Sequence, residues 1–314
     1  MVDKDNKGRS LISDSDLKRP GIRTLYWLMV VGLIAGALTT MLPLLWGVLN
    51  ALKPVKDIFA FPPKILPEGA ITGWKWDNYT EAWDKVNFPK YFLNTAVLAI
   101  GIWFFHIFPA ALAGYAISKF PSRLTRILGF MFFLTLMVPF EAIMIPLYLT
   151  VKNLGLLSRG LSINLFGKWL PSKEFGWGYL AIMLPAGVNA FNMFVFKGFF
   201  DKIPNDLMEA ARIDGAGEFR IFFLIILPLS RSIIAVLSIF SFMFTWNDFF
   251  WPLIVMAKSE SFNIMLRLYY FSDTAVSQSV VLASLTISTI PPIILFLIFQ
   301  KQIMKGITLS GLKY

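Results

Sequence analysis

Six apolar runs, each long enough to cross a bilayer, dominate this 314-residue sequence. Because an α-helix rises about 1.5 Å per residue, about 20 apolar residues cross the hydrocarbon core. We predict spans at about 25–50, 92–117, 127–151, 177–199, 231–255 and 278–300. Only 15% of the residues are charged, whereas a soluble domain is nearer a quarter. The chain is therefore predicted to be an all-α integral membrane protein with six transmembrane helices between residues 25 and 300.

Composition also excludes several kinds of site. The sequence has no Cys and a single His, His106, so it contains no thiolate metal site and no His cluster, and we expect no metal. The formal net charge of +10 could suggest nucleic acid as a partner. The basic residues are scattered between the apolar runs, however, which is the pattern of a membrane protein. We therefore expect the chain to lie in the bilayer and to have no nucleic acid partner.

Lys and Arg residues indicate the orientation. The tail 1–24 carries six of them, and the short link 118–126 carries three with no acid. Because basic residues favour the cytoplasmic side, the N-terminal tail is expected inside. Six spans then place the link 201–228 and the tail 301–314 inside as well. The chain is expected to be a multi-pass protein of a bacterial or archaeal cytoplasmic membrane, with both termini cytoplasmic.

The roles of three features of the spans and outer loops remain open in the sequence. Prolines occur in nearly every span and are expected to bend the helices. The loop 52–91 carries several Trp and Tyr residues, which indicate an interfacial anchor rather than a sugar platform. The outer segment 158–175 resembles an insertion, and its role is not evident from the sequence.

The polar link between the fourth and fifth spans has the signals of a short helix. Pro204 suits its first turn, and Asp206 and Glu209 lie where the positive end of the helix dipole favours acids. Gly215 can adopt the left-handed conformation that ends a helix. A second short helix is predicted at about 218–224. One face of the first helix would carry Leu207, Ala210 and Ala211 at helical spacing.

The same link carries a longer pattern. Glu209-Ala210-Ala211 is followed by three residues, Gly215, nine residues and then Ile225 to Pro228. This string resembles the EAA loop, E-A-A-x3-G-x9-I-x-L-P, of the membrane subunits of binding-protein-dependent ABC importers. The residues from Glu209 to Gly217 resemble the same loop in carbohydrate importers of the maltose and glycerol-phosphate type, in particular in MalG-like permeases. One departure is Ser232, where the family often has Pro.

The resemblance implies a set of partners and a role for this loop. The partners would be a homologous second permease subunit, two copies of a cytoplasmic ABC ATPase, an extracytoplasmic solute-binding protein and a carbohydrate substrate. The loop would couple the chain to the ATPase. The residues implied in coupling are Glu209, Ala210, Ala211, Arg212, Asp214, Gly215, Leu227 and Pro228.

The chain itself is expected to be a non-catalytic subunit, with no catalytic residues and no cofactor of its own. A phosphate loop needs G-x-x-x-x-G-K-[ST]. The nearest sequence, Gly167-Lys168, is followed by Trp169 where Ser or Thr belongs. ATP and Mg are therefore expected on the partner ATPase.

Polar residues within spans are candidates for the substrate path, because such groups are costly in a bilayer. The alternative is that they form hydrogen bonds between helices. The candidates are Glu141, Asn189, Asn192, Asn247 and Asp248.

The outer loop of about 258–277 is a candidate contact for the binding protein. The family resemblance implies such a contact, and Ser259, Glu260 and Ser261 are the candidate residues. The alternative is that the apolar stretch 264–271 lies in the membrane interface as an aromatic anchor.

The sequence therefore predicts a permease subunit that moves a sugar or oligosaccharide by alternating access. The first alternative is an ABC importer permease for another solute, such as glycerol phosphate. The second is an ATP-independent secondary transporter, which would leave the EAA-like loop unexplained. Nothing in the sequence specifies which sugar is carried.

Overall fold

The computed structural model describes residues 19–69, 71–158, 178–187 and 189–311, and every regular element in these ranges is helical. Most of the predicted N-terminal tail and nearly all of the predicted insertion at 158–175 lie outside the described residues. The helices in chain order are α1 (Pro20–Ala51), α2 (Val55–Ile58), α3 (Asp77–Val86), α4 (Phe88–Lys119), α5 (Arg123–Thr135), α6 (Phe140–Asn153), α7 (Tyr179–Ala186), α8 (Ala190–Phe200), α9 (Asp206–Ile213), α10 (Glu218–Ile221), α11 (Leu227–Leu229), α12 (Arg231–Asn247), α13 (Phe250–Val255), α14 (Ile264–Ser272), α15 (Gln278–Ser288) and α16 (Ile290–Gly311).

Four helical stretches in the described residues are long and apolar enough to cross a membrane: Pro20–Ala51, Phe88–Lys119, Tyr179–Phe200 and Gln278–Gln300. They coincide with the first, second, fourth and sixth predicted spans. Two further helix pairs pass the same test but are sharply bent, so the number of spans is six if each bent pair counts as one. α16 continues to Gly311, beyond the predicted end of the sixth span at residue 300.

The third predicted span, 127–151, is not one continuous helix. α5 ends at Thr135, α6 begins at Phe140, and the two are bent by 106°. Pro139 stands at the N-cap of α6, where it has no N–H to donate and disfavours helical backbone at the residue before it. Pro43 and Pro109, by contrast, lie inside continuous helices. A proline alone therefore does not predict a break.

The fifth predicted span, 231–255, is also divided. α12 ends at Asn247, and α13 begins only at Phe250. The stretch Glu218–Leu229 before α12 is bent from it by 80°. Ser232, at the position where related sequences were expected to have Pro, lies in the first turn of α12.

The described chain divides into two compact units, 1–80 with 277–286 and 81–276 with 287–314. In the first unit, none of the most apolar stretch of α1 is buried within the chain. The loop after α1 is organised around Lys53, which is fully buried. Its ammonium donates hydrogen bonds to Asn50 Oδ1 and to the carbonyl of Lys64, and its own carbonyl accepts from Ser279 Oγ at 2.7 Å.

The second unit is built around α4. This helix packs mainly against α8, and also against α7 and α12. Its buried residues include His106, whose Nδ1 lies 3.1 Å from Ser241 Oγ in α12. His106 is therefore a packed residue of the helix bundle.

A glycine sets the distance between α4 and α8. A Cβ atom on Gly114 would lie 2.9 Å from the carbonyl oxygen of Met193 and 2.9 Å from Cβ of Phe196. Both contacts are to atoms close to the backbone of α8, which cannot rotate away. Small residues at helix interfaces in membranes allow this close approach of backbones.

We predict that Gly114→Ala destabilises the chain by about 1–3 kcal/mol, the usual cost of overpacking. The change should lower the thermal unfolding midpoint of the purified chain in detergent. Gly198→Ala in α8 is the matched control, because nothing lies within 4 Å of a Cβ added there. Equal midpoints for the two variants would contradict contact between the two backbones at Gly114.

Candidate coupling and docking loops

The first candidate site is the link 201–230, which contains α9. The helix begins at Asp206 with Asn205 as N-cap, so Pro204 precedes it and is not in its first turn as predicted. It ends as predicted, because Gly215 has φ +81°. The N–H of Ala216 donates to Ala211 O at 2.9 Å, and that of Gly215 donates to Arg212 O at 3.0 Å. This pair of bonds satisfies carbonyls that would otherwise be unpaired at the helix end.

α9 has one anchored face and one free face. Met208 is 2% exposed and lies in an apolar cluster with Tyr115, Phe200 and Phe222. Among the residues expected on one face, Ala210 is exposed and Leu207 is 46% exposed, whereas Ala211 is half-buried against that cluster. The coupling candidates therefore divide between the two faces.

This link exposes several large apolar side chains, of which Ile213 and Phe219 are the most exposed. Ile213 is 87% exposed and Phe219 is 74% exposed. The Glu209 side chain is exposed and makes no hydrogen bond or close ion pair among the described residues, while its backbone N–H donates to Asn205 O at 3.0 Å. Sequence reasoning did not select Ile213 or Phe219. Their signal was present, however, since they are bulky apolar residues in a polar link.

Arg212 is held within the link itself. Its Nε donates to Glu218 Oε1 at 2.7 Å, and Tyr115 Oη of α4 donates to Glu218 Oε2 at 3.0 Å. Glu218 therefore accepts from both sides and joins α9 to α4 through α10. No local spacing in the sequence indicates the Tyr115 contact, because the two residues are more than one hundred positions apart.

The start of the link is also bonded to the end of α4. Ser118 Oγ donates to Asp201 Oδ1 at 2.7 Å, and Lys119 Nζ donates to Ile203 O at 2.6 Å and Asn205 Oδ1 at 3.0 Å. Burial would raise the pKa of Asp201, but the hydrogen bonds from Lys197 and Ser118 outweigh it and hold the pKa below its ordinary value. The carboxylate therefore remains charged and bonded at neutral pH.

The end of the link departs from the predicted second helix at 218–224. α10 covers only four residues, and a π-helical stretch, Phe222–Ile226, follows it. Leu227 and Pro228, both half-buried, form the next turn. Pro228 has no N–H to continue the α-helical ladder, and π-helical turns are common at such points. Ser230 Oγ donates to Ile226 O at 2.7 Å, so a side chain satisfies the carbonyl next to the bend.

The candidates for the substrate path mostly bond to backbone at helix ends. Asn189 is the N-cap of α8 and accepts from the N–H of Asn192 at 2.8 Å. Asn247 Nδ2 donates to Met243 O at 2.8 Å. The Asp248 carboxylate accepts from the backbone N–H of Trp251, between α12 and α13.

The other two candidates differ in their exposure. Asn192 is buried in α8, whereas Glu141 is exposed in the first turn of α6. Among the described contacts, Asn189 and Asn192 are the only two of these five residues that are hydrogen-bonded to each other. A role in the substrate path therefore remains a prediction for all five.

The second candidate site is the loop 256–263 before α14. Asn94 Nδ2 of α4 donates to Glu260 O at 2.8 Å and to Phe262 O at 3.0 Å. The next residue of α4, Thr95, accepts at Oγ1 from the Ile264 N–H at 2.8 Å. Lys90 also forms an ion pair with the Glu260 carboxylate. The loop is thus attached to α4 mostly through its backbone.

The three candidate contact residues of this loop are not equivalent. Ser259 and Glu260 are exposed, but Ser261 is fully buried. Ser261 therefore cannot present its side chain to another protein, and the proposed contact is confined to Ser259 and Glu260. The stretch after them is the helix α14, with Tyr269 and Tyr270 exposed and its other large residues mostly buried.

A family model identifies the class of protein that this fold and these loops define. Residues 106–308 match the model described as binding-protein-dependent transport system inner membrane component. The match covers more than half of the chain, and the chain belongs to this family. It is thus a membrane-spanning permease component of an ABC importer.

Named relatives extend over most of the sequence. The chain is 27% identical over 274 residues to the diacetylchitobiose uptake system permease protein NgcG of Streptomyces coelicolor, covering 86% of this chain and 83% of the relative. It is 28% identical over 286 residues to the sn-glycerol-3-phosphate transport system permease protein UgpE of Pectobacterium atrosepticum, covering 88% and 94%. It is 29% identical over 273 residues to the lactose transport system permease protein LacG of Rhizobium radiobacter, covering 86% and 90%.

The fold has a counterpart among solved structures. A chain of a bacterial ABC transporter involved in the import of the acidic polysaccharide alginate superposes with a TM-score of 0.71. The similarity covers 93% of this chain and 99% of that chain, at 24% identity. At this identity the similarity shows the fold alone.

We predict that Gly215→Asp abolishes solute uptake by the assembled importer without preventing membrane insertion. A side chain at positive φ is opposed by about 1–2 kcal/mol, which would displace the end of α9. Gly217→Asp is the control, because Gly217 has φ −74°, caps α10 and has open space around it. Normal uptake by a well-expressed Gly215→Asp variant would show that the shape of this turn is unimportant.

Proposed function

We propose that this chain is a permease subunit that moves a sugar or oligosaccharide across the cytoplasmic membrane by alternating access, driven by a separate ATPase. One observation carries the proposal. One side of the link 201–230 is anchored on α4, and its other side is apolar and exposed. Such a surface suits docking to a second protein, because isolated Ile and Phe side chains gain free energy when they are covered.

The two sides of the link suggest how work is transmitted. The ATPase would contact Ile213, Phe219 and the exposed Glu209. The anchored side, through Met208 and Glu218, would pass any displacement to α4. For this arrangement the link must lie in the cytoplasm, as the distribution of Lys and Arg predicts. The other partners would be a homologous permease and an extracytoplasmic solute-binding protein.

A neutral sugar is favoured over a phosphate ester by the charges of the spans. Proteins recognise phosphate groups mainly with Arg and Lys. In the described part of the six predicted spans, the only Lys or Arg residues are Lys197 and Arg231, and both lie at a span end. Lys197 is already paired with Asp201 at 2.7 Å. Two of the relatives named above are permeases for a disaccharide, which agrees with this choice.

Glycerol phosphate is the second candidate, because one relative is named for its transport. The experiment that separates the two is uptake by proteoliposomes that contain the paired permease, the ATPase and the binding protein. Labelled disaccharides should be taken up only with ATP, and glycerol 3-phosphate should not compete. Uptake driven by an ion gradient without ATP would overturn the proposal in favour of a secondary transporter.

Docking of the ATPase can be tested with single cysteines, because the native sequence has none. We predict that a membrane-impermeant maleimide labels Ile213→Cys from the cytoplasmic side, and that the bound ATPase reduces this labelling, because the core of a docked interface excludes water. Asp273→Cys, at an exposed position after α14, is the control. It should be labelled only from the outer side and regardless of the ATPase. Equal labelling of Ile213→Cys with and without the ATPase would contradict docking at this surface.

We also predict that Ser259→Trp lowers the stimulation of ATP hydrolysis by the liganded binding protein. A bulky ring at this exposed position would prevent close contact with a docked protein, whereas an interfacial anchor would tolerate it. The measured quantity is the ratio of stimulated to basal hydrolysis by the reconstituted complex. Asp273→Trp is the control for an added ring at another exposed position. Equal ratios for the two variants would leave only the anchoring role for this loop.

A further inference from the structure

α4 is bonded near one end to the loop 256–263 and near the other end to the link 201–230. It has 32 residues without interruption, which corresponds to about 48 Å at 1.5 Å per residue. Nothing in the sequence connects these two loops. The structure attaches both to a single helix.

At the N-terminal end of α4 the bonds fix the loop backbone. Asn94 holds the carbonyls of Glu260 and Phe262, and Thr95 holds the N–H of Ile264. Asn94 and Thr95 are 1% and 0% exposed. Buried hydrogen bonds are costly to break, because the released groups find no water to replace the lost partner. The loop therefore moves with this end of α4.

At the C-terminal end the bonds reach both parts of the link. Tyr115 reaches Glu218, and through it Arg212, while Ser118 and Lys119 hold the stretch before α9. Met208 packs beside Tyr115 in the same apolar cluster. The link is thus bonded to α4 on both sides of α9.

The helix between these ends is supported along its length. It packs on α8, where Gly114 brings the two backbones together, and on α12. A packed helix resists bending, so a displacement at one end changes the position of the other end. Pro109 does not interrupt it.

We propose that α4 positions the loop 256–263 and the link 201–230 relative to one another, and so relays docking of the binding protein to the ATPase. This inference rests on the proposed function. The positioning residues are Thr95 at one end and Tyr115 at the other. Each acts through the loop that it holds and touches neither nucleotide nor solute.

The test compares Thr95→Val, Tyr115→Phe and the double variant in the full complex, reconstituted in liposomes. The measured quantity is the ratio of ATP hydrolysis with and without liganded binding protein. Each single variant should lower this ratio about fivefold, the change in an equilibrium constant that losing one hydrogen bond typically produces. The loss in the double variant should be smaller than the product of the two single losses, because the two ends act in series in one relay.

Matched controls separate this role from general stability. Thr150→Val removes a hydroxyl that bonds only within its own helix, to Pro146 O at 2.8 Å. Tyr148→Phe removes a hydroxyl that has no hydrogen bond among the described residues. Both should keep the normal ratio. Thr95→Ser keeps the hydroxyl that accepts from the Ile264 N–H, so this variant should also keep the normal ratio.

The outcomes are distinct. The inference would be overturned if Thr95→Val and Tyr115→Phe gave the same ratio as the controls. It would also be overturned if the loss in the double variant were the product of the two single losses. If Tyr115→Phe fails to assemble, Ser118→Ala removes only the bond to Asp201 and should give the same fivefold loss. Absence of stimulation in the unmodified complex would instead overturn the proposed function.

Discussion

The bilayer supplies no hydrogen-bond partner for an unpaired backbone N–H or C=O, and this constraint explains the positions of many polar side chains in the chain. At some helix ends a side chain takes over this pairing. Asn189 caps α8, the Asp248 carboxylate accepts an N–H at the start of α13, and Asn263 caps α14 by accepting from the Leu266 N–H at 2.9 Å. A polar residue in an apolar run is therefore first a sign of an interrupted helix. Capping of helix ends already accounts for Asn189 and Asp248, so their positions are weaker evidence for contact with the solute.

Much of the fold was predictable because long apolar runs have few alternatives in a membrane. The helices α1 and α4 follow directly from such runs. The break between α5 and α6 was not predictable from Pro139, because Pro109 has equally apolar neighbours and leaves α4 continuous. What decides the outcome is whether the surrounding helices satisfy the freed carbonyl, and that depends on tertiary packing. The same limit applies to the division between α12 and α13.

The candidate coupling loop was predictable in its local features and not in its partners. The turn at Gly215 needs positive φ, a property of one residue type, and the sequence therefore reveals it. Which side of α9 is anchored depends on Met208 entering a cluster formed by α4 and α8. The pairing of Tyr115 with Glu218 joins distant parts of the chain and has no periodic signal. Family resemblance located the loop, and only the structure divides its residues into anchored and free.

This division has a mechanical consequence. A loop that transmits a push must be attached to the moving helix at points besides its covalent ends, because otherwise the push only bends the loop. Here Met208 contributes an apolar anchor, and Glu218 accepts one hydrogen bond from α9 and another from α4. Each bond contributes only about 0.5–3 kcal/mol. Because they act together with the Ser118 and Lys119 bonds on the other side of α9, the loop is held at two points. This attachment opposes rotation about either point alone, and under the proposed function a displacement applied at Ile213 would reach α4.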